Sequence, residues 1–141
     1  MTDEWAERRT FVDTNVLFYS IDVSAADKHS RAIEVMERIW RRRNGAVSTQ
    51  VLSEWIVNLR RKLALDRELL TRIVEPYLSW PVVVIEPAAP LEAMRIADRH
   101  QLSFWDGLIV WAARKAGAEV LLTEDLNAGQ QIDGVLVVNP F

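Results

Sequence analysis

The sequence predicts an α/β fold: a three-layer α/β/α sandwich around a parallel central sheet. Two observations lead there. Short β-branched runs alternate with longer amphipathic stretches along the whole chain. The stretches between runs are long enough for helical crossovers, which parallel strands require and which cover both faces of the sheet.

The elements follow in order. Phe11 to Asp13 reads as the end of a short buried strand. Ala26 to Arg43 reads as a helix with Ala32, Ile33, Met36, Ile39 and Trp40 on one stripe, closed by Asn44-Gly45. Ala46 to Ser48 is a short strand, and Gln50 to Leu65 a helix whose Leu52, Trp55, Ile56, Leu59 and Leu63 share a face. Arg67 to Leu78 reads as a further helix, stopped near Trp80-Pro81. Val82 to Ile85 is apolar throughout, as in a strand covered on both faces. Pro90 to His100 has proline in its first turn, and Phe104 to Ala116 is followed by Gly117, a natural helix stop. Val120 to Thr123 and Val135 to Val138 complete the strands.

The chain of 141 residues fits one domain, 1–141, with residues 1–9 as an N-terminal extension of no assigned role. Half of the residues are hydrophobic, no cysteine is present, and net charge is −3. Disulfide scaffolds and thiolate metal sites are thereby excluded, and a generic basic nucleic-acid coat is disfavoured. The charged N-terminus lacks the apolar region of a signal peptide, and no apolar run approaches a membrane span, so a cytoplasmic protein is expected. Two basic clusters stand out, Arg41-Arg42-Arg43 and Arg60-Arg61-Lys62. Each reads either as a cationic helix end or as a contact for RNA phosphates.

Asp13 interrupts an apolar run, where an unpaired carboxylate costs several kcal/mol or takes up a proton, on the order of units of pKa. It sits at a strand end, the edge at which open parallel sheets bind ligands. Asp125 follows the strand Val120 to Thr123, Asp106 lies in the first turn of its helix, and Glu54 lies early in another. Each has an ordinary alternative. Asp13 suits a helix cap, Asp106 a capping box with Ser103, Asp125 an Asx turn, and Glu54 an exposed helix position. Converging, the four would repel unless a cation joined them, and oxygen-only ligands suit Mg²⁺ or Mn²⁺. His29 and His100 read as surface helix residues, and Trp40, Trp55 and Trp111 as core.

The segments V-D-T-N-V-L, S-T-Q-V-L-S-E, S-F-W-D-G-L-I, L-L-T-E-D-L-N-A-G and V-V-N-P-F, in this order, resemble a PIN-domain protein. More narrowly, they resemble a VapC-type ribonuclease toxin of a type II toxin–antitoxin system. The resemblance runs from Thr10 to Phe141 and implies an α/β/α sandwich with endoribonuclease activity. It implies that Asp13 and Asp106 bind Mg²⁺ or Mn²⁺ most directly, with Glu54 and Asp125 completing the catalytic set. Thr14, Asn15 and Thr123 would orient these carboxylates. Asp125 rather than Glu124 matches the family acid. The resemblance further implies an RNA substrate, an antitoxin partner that covers the acidic site, and a homodimer. A haloacid-dehalogenase-like phosphatase would need an acid where Asn15 stands, and a receiver domain would need adjacent acids where Asp13 stands alone. A module of the same fold that binds RNA without cleaving it is the remaining alternative.

Overall fold

The structure, a computed structural model, describes residues 3–141; Met1 and Thr2 of the N-terminal extension lie outside the described residues. Its six-stranded sheet has the order β3-β2-β1-β4-β6-β5. The strands are β1 (Thr10–Val12), β2 (Gly45–Ser48), β3 (Val82–Val83), β4 (Val120–Leu122), β5 (Gln131–Ile132) and β6 (Val135–Val138). β1 lies between β2 and β4, parallel to both, and β6 runs parallel to β4. Phe11, Val12, Leu121 and Leu122 on these inner strands are fully buried. Inner strands carry no alternation because helices cover both faces.

The helices are α1 (Thr14–Tyr19), α2 (Asp27–Arg42), α3 (Thr49–Leu63), α4 (Arg67–Val74), α5 (Ala89–His100) and α6 (Phe104–Lys115). α2 buries Ala32, Val35, Met36 and Ile39, and α3 buries Val51, Leu52, Trp55 and Leu59. α3 starts on Ser48, whose hydroxyl accepts from the Val51 N–H, and α4 starts on Asp66, which accepts from Leu69 N–H. α5 and α6 pack closely at Gly107, where a Cβ would run into the Ala93 carbonyl. Among the described residues no helix is long and apolar enough to cross a membrane.

The parallel central sheet is as expected, with one antiparallel pair at its edge, where β5 meets β6 through the turn Asp133-Gly134, both residues at positive φ. Several other expectations need correction. The segment expected as one helix from Arg67 to Leu78 ends its α-helical part at Val74 and continues as the 3-10 turn Glu75–Ser79, which carries Pro76 at its start. The strand expected to Ile85 pairs only over Val82–Val83. Ile33 and Ile56 sit at the edge of their stripes and stay exposed, while Trp40 is only partly buried. Trp55 and Trp111 are core, as expected.

Asn44-Gly45 does not supply the left-handed stop of α2. Arg43 does, at φ 54. Asn44 instead donates through Nδ2 to the carbonyls of Ala6 and Arg8, at 2.7 and 2.8 Å, and so ties down the N-terminal segment. Gly45 is the first residue of β2, where a Cβ would lie 2.5 Å from the Trp80 ring and 2.6 Å from Ile39. Trp80 belongs to an aromatic cluster with Trp40 and Tyr77, and Tyr77 meets Trp55 edge-on at 5.1 Å. Space at Gly45 is therefore a packing requirement. Gly45→Ala is expected to destabilise the protein by about 1–3 kcal/mol through overpacking, read as a fall of several degrees in melting temperature with the circular-dichroism spectrum retained.

The N-terminal segment is docked. Asp3 accepts from Arg31 at 3.0 Å and from Arg38 at 2.8 Å, and its side chain is 7% exposed. Burial pushes its pKa up, but the hydrogen bonds and charges of the two arginines outweigh that and hold it below the ordinary value. A carboxylate of lowered pKa stabilises the fold above its unfolded pKa and stops doing so as pH falls through the folded one. Asp3→Asn is expected to cost about 1–3 kcal/mol at pH 7, both arginines being partly solvated, and less at about pH 3, below the ordinary value of 3.8. Thermal melts of the two proteins at both pH values measure the difference.

Candidate metal site

Asp13 stands immediately after β1, its N–H bonded to the Leu122 carbonyl of β4. It caps α1: Oδ1 accepts from the Thr14 N–H at 2.7 Å. Its other oxygen, Oδ2, accepts from the Thr123 hydroxyl at 2.8 Å. The cap and the strand-end positions expected from the sequence are thus the same position. The side chain is buried, with no basic group among its hydrogen-bond partners.

The Thr123 hydroxyl also accepts from Asn15 Nδ2 at 3.0 Å and from the Asp125 N–H at 3.1 Å. Asn15 Nδ2 reaches Asp125 Oδ2 at 3.1 Å, and Asn15 Oδ1 accepts from the Glu124 N–H at 3.3 Å. On the other side, the Thr14 hydroxyl donates to Glu54 Oε2 at 3.1 Å, and Gln50 Nε2 donates to Glu54 Oε1 at 2.8 Å. Thr14, Asn15 and Thr123 therefore connect Asp13 to Glu54 on α3 and to Asp125 beyond β4. Asp106 enters from the first turn of α6, where its N–H donates to the Ser103 hydroxyl at 3.1 Å.

The four acids line one cleft of about 290 Å³, together with Gln50, Asn58 and Lys62 of α3 and with Trp105. Burial, reinforced by the charges of Asp125 and Glu54, raises the Asp13 pKa to about 7 against the hydrogen bonds from Thr123 and Thr14. Burial likewise raises Asp106; the Ser103 hydrogen bond opposes this, and the charges of Asp125 and Glu54 add to it. The donors facing the cleft are carboxylate, amide and hydroxyl oxygens, with no imidazole or thiol among the lining residues. That set fits a hard divalent cation, whose charge would also relieve the crowding of acids. Among the described residues, however, no three carboxylates or imidazoles are already gathered closely enough to form a cage. The acids face a common cleft without closing on one point.

The remaining sequence expectations divide. Of the basic clusters, only Lys62 lines the acidic cleft. Arg60 borders an apolar groove between α3 and α4, and Arg61 reaches Asn58 at 3.4 Å. Arg41, Arg42 and Arg43 lie at the end of α2, where Arg42 pairs with Glu7. His29 and His100 are not free surface groups: His29 Nδ1 is 2.8 Å from the Tyr19 carbonyl, and His100 bonds Asp133 at 3.0 Å. Sequence reasoning passed over Gln50, Asn58 and Trp105 as cleft residues, although the α3 members recur every fourth position from Glu54. Glu124 also lines the cleft, but Tyr19 and Lys28 each occupy one of its oxygens at 2.7 Å. Burial pushes its pKa up, and these two partners bring it below the ordinary value.

Comparison with known proteins agrees with this architecture. The family described as "PIN domain" matches residues 10–131. A toxin–antitoxin complex from Klebsiella pneumoniae superposes with a TM-score of 0.67 at 20% identity, covering 94% of this chain and 98% of that one. FitAcB from Neisseria gonorrhoeae gives 0.65 at 18% identity, covering 93% and 97%. Mycobacterium tuberculosis VapC20, a sarcin–ricin loop cleaving toxin, gives 0.61 at 21% identity, covering 79% and 86%. Comparison with curated protein sequences gives no match. At these identities the solved structures establish the fold, an α/β sheet flanked by helices, and the match over residues 10–131 establishes the family: the chain belongs to the PIN-domain proteins.

Proposed function

We propose that the chain is a divalent-metal-dependent endoribonuclease and the toxin of a toxin–antitoxin pair. The observation that carries this is the meeting of Asp13, Glu54, Asp106 and Asp125 in one cleft at the carboxyl ends of β1 and β4. Two likenesses support it: one structural neighbour is a sarcin–ricin loop cleaving toxin, and another is a toxin–antitoxin complex.

In this reading Asp13 and Asp106 hold Mg²⁺ or Mn²⁺ most directly, and Glu54 and Asp125 complete the set. Such an ion, when bound, lowers the pKa of water and offsets phosphate charge. The chain's own contribution is positional. Thr123 and the Thr14 N–H hold both oxygens of Asp13, while Thr14 and Gln50 hold Glu54 with lone pairs to spare. Asn15 holds Asp125 beside Thr123.

A second reading is a module of the same fold that binds RNA without cleaving it. One assay separates the two. Structured RNA incubated with the protein and Mg²⁺ is expected to be cut internally, and excess chelator to stop it. Asp106→Asn is expected to reduce cleavage by about a hundredfold or more, beyond what an outer-shell partner usually costs. Cleavage unchanged in chelator removes the metal mechanism. RNA binding without turnover in the wild type selects the module.

A second test uses stability. With its pKa raised from 3.8 to about 7, Asp13 holds a proton in the folded state that it has lost in the unfolded one. Between those values the folded state binds more protons, so the metal-free protein loses stability as pH rises, by an amount on the order of a few kcal/mol. Mg²⁺ competes with that proton. It is expected to raise the melting temperature by several degrees at pH 8 and by little at pH 5, with the effect at pH 8 much reduced in Asp106→Asn.

A further inference from the structure

The acidic cleft extends beyond its acids in two directions. Along α3, Gln50, Glu54, Asn58 and Lys62 all line it, at steps of four residues that place them in one row. Lys62 lies two turns beyond Glu54, about 12 Å along the helix axis at 1.5 Å per residue. Its ammonium rests 5.1 Å from the centre of the Phe18 ring, and it pairs with no carboxylate among the described residues. It is a cation at the end of a row whose Glu54 carries the opposite charge. Gln50, at the other end of the row, has a buried Oε1 without a donor.

Trp105 lines the same cleft, next to Asp106 in the chain, yet it is 63% exposed. Its ring meets Phe104 edge-on at 5.1 Å, and no other aromatic ring packs on it among the described residues. Trp55, Trp80 and Trp111 are buried. A large apolar face left in water beside a polar cleft is suited to cover a flat ligand group, and every nucleobase has such a face.

We propose that Trp105 is the stacking platform for a substrate base beside the scissile bond, and that Lys62 binds a phosphate further along the same strand. This rests on the ribonuclease reading above. The strand would run along the row on α3, with Asn58 between the acids and the cationic end. Both residues bind substrate and take no part in the bond cleavage, so their removal raises KM and leaves kcat nearly unchanged.

The test is steady-state cleavage of one short single-stranded RNA by wild type, Trp105→Ala, Trp105→Phe and Lys62→Ala, with Mg²⁺, across a salt series. Trp105→Ala is expected to raise KM about tenfold, within the range for loss of one base–aromatic stack, and Trp105→Phe to recover most of it. Replacing the stacked nucleotide with an abasic one is expected to raise the wild-type KM similarly and to leave Trp105→Ala unaffected. Lys62→Ala is expected to lower the salt dependence of log KM by about 0.7, the value for one phosphate contact on a single strand. A wild-type KM matched by both alanine variants, with the salt slope unchanged, overturns the proposal and leaves the nuclease intact. So does loss of self-association in Trp105→Ala with KM unchanged, which assigns the indole to a protein contact. A wild type that neither binds nor cleaves RNA overturns both readings.

Discussion

The burial of Asp13 is the constraint on which the cleft depends. A carboxylate at the end of an inner strand, 6% exposed, keeps little of its hydration, so its oxygens are met by groups whose own positions are fixed. One is the first N–H of α1, which makes the helix start where the strand stops. The other is the hydroxyl of Thr123 at the end of the neighbouring β4, and β1 and β4 are held in register from Thr10↔Val120 to Val12↔Leu122. The parallel pairing thus sets the position of the acid to within a hydrogen bond. Glu54 and Asp125 are positioned in turn through Thr14, Asn15 and Thr123.

Hydrogen bonding settles geometry here and leaves electrostatics unfinished. The donors around Asp13 favour its charged form, but burial and the two neighbouring carboxylates outweigh them. Elsewhere the chain shows what a completed charge environment looks like. Asp3 sits among Arg31 and Arg38, and Asp133 is held below its ordinary pKa by the His100 hydrogen bond first, against burial, with Arg114 assisting. Glu124 has Lys28. These acids tie the N-terminal segment, the β5–β6 turn and the loop after β4 to the body of the fold. Among the described residues the four acids of the cleft have no such cation paired with them, and Lys62 lies two turns beyond Glu54 on α3.

Much of this was legible in the sequence where hydrophobic pattern decides structure. β1, β2, β4 and β6 are apolar or β-branched runs, and the helices carry clear stripes with Ser48, Asp66 and Ser103 at their starts. β5 was not legible, because two residues with one exposed side chain have no period to detect. Gly45 was read as part of the stop of α2 because its reason is a tryptophan 35 positions away. The acids were found because each follows a strand or opens a helix. The cleft beyond them was missed, since a row of Gln, Glu, Asn and Lys on a helix looks like ordinary solvent-facing surface until the sheet places it opposite Asp106. Glu124 and Asp125 differ by one position, and only the loop's direction sends one to Lys28 and the other to Asn15.

The network around Thr123 has a direction as well as a shape. A hydroxyl has one proton, and this one goes to Asp13, so every other neighbour of the Thr123 oxygen must be a donor. Asn15 must then turn its NH₂ toward Thr123 and Asp125, and its carbonyl toward the Glu124 N–H. Position 15 is consequently sensitive to polarity at constant size. Aspartate would fill the same volume, but it would set an oxygen against the Thr123 lone pairs and a second charge against Asp125. In this cleft a substitution can be isosteric and still run the wrong way.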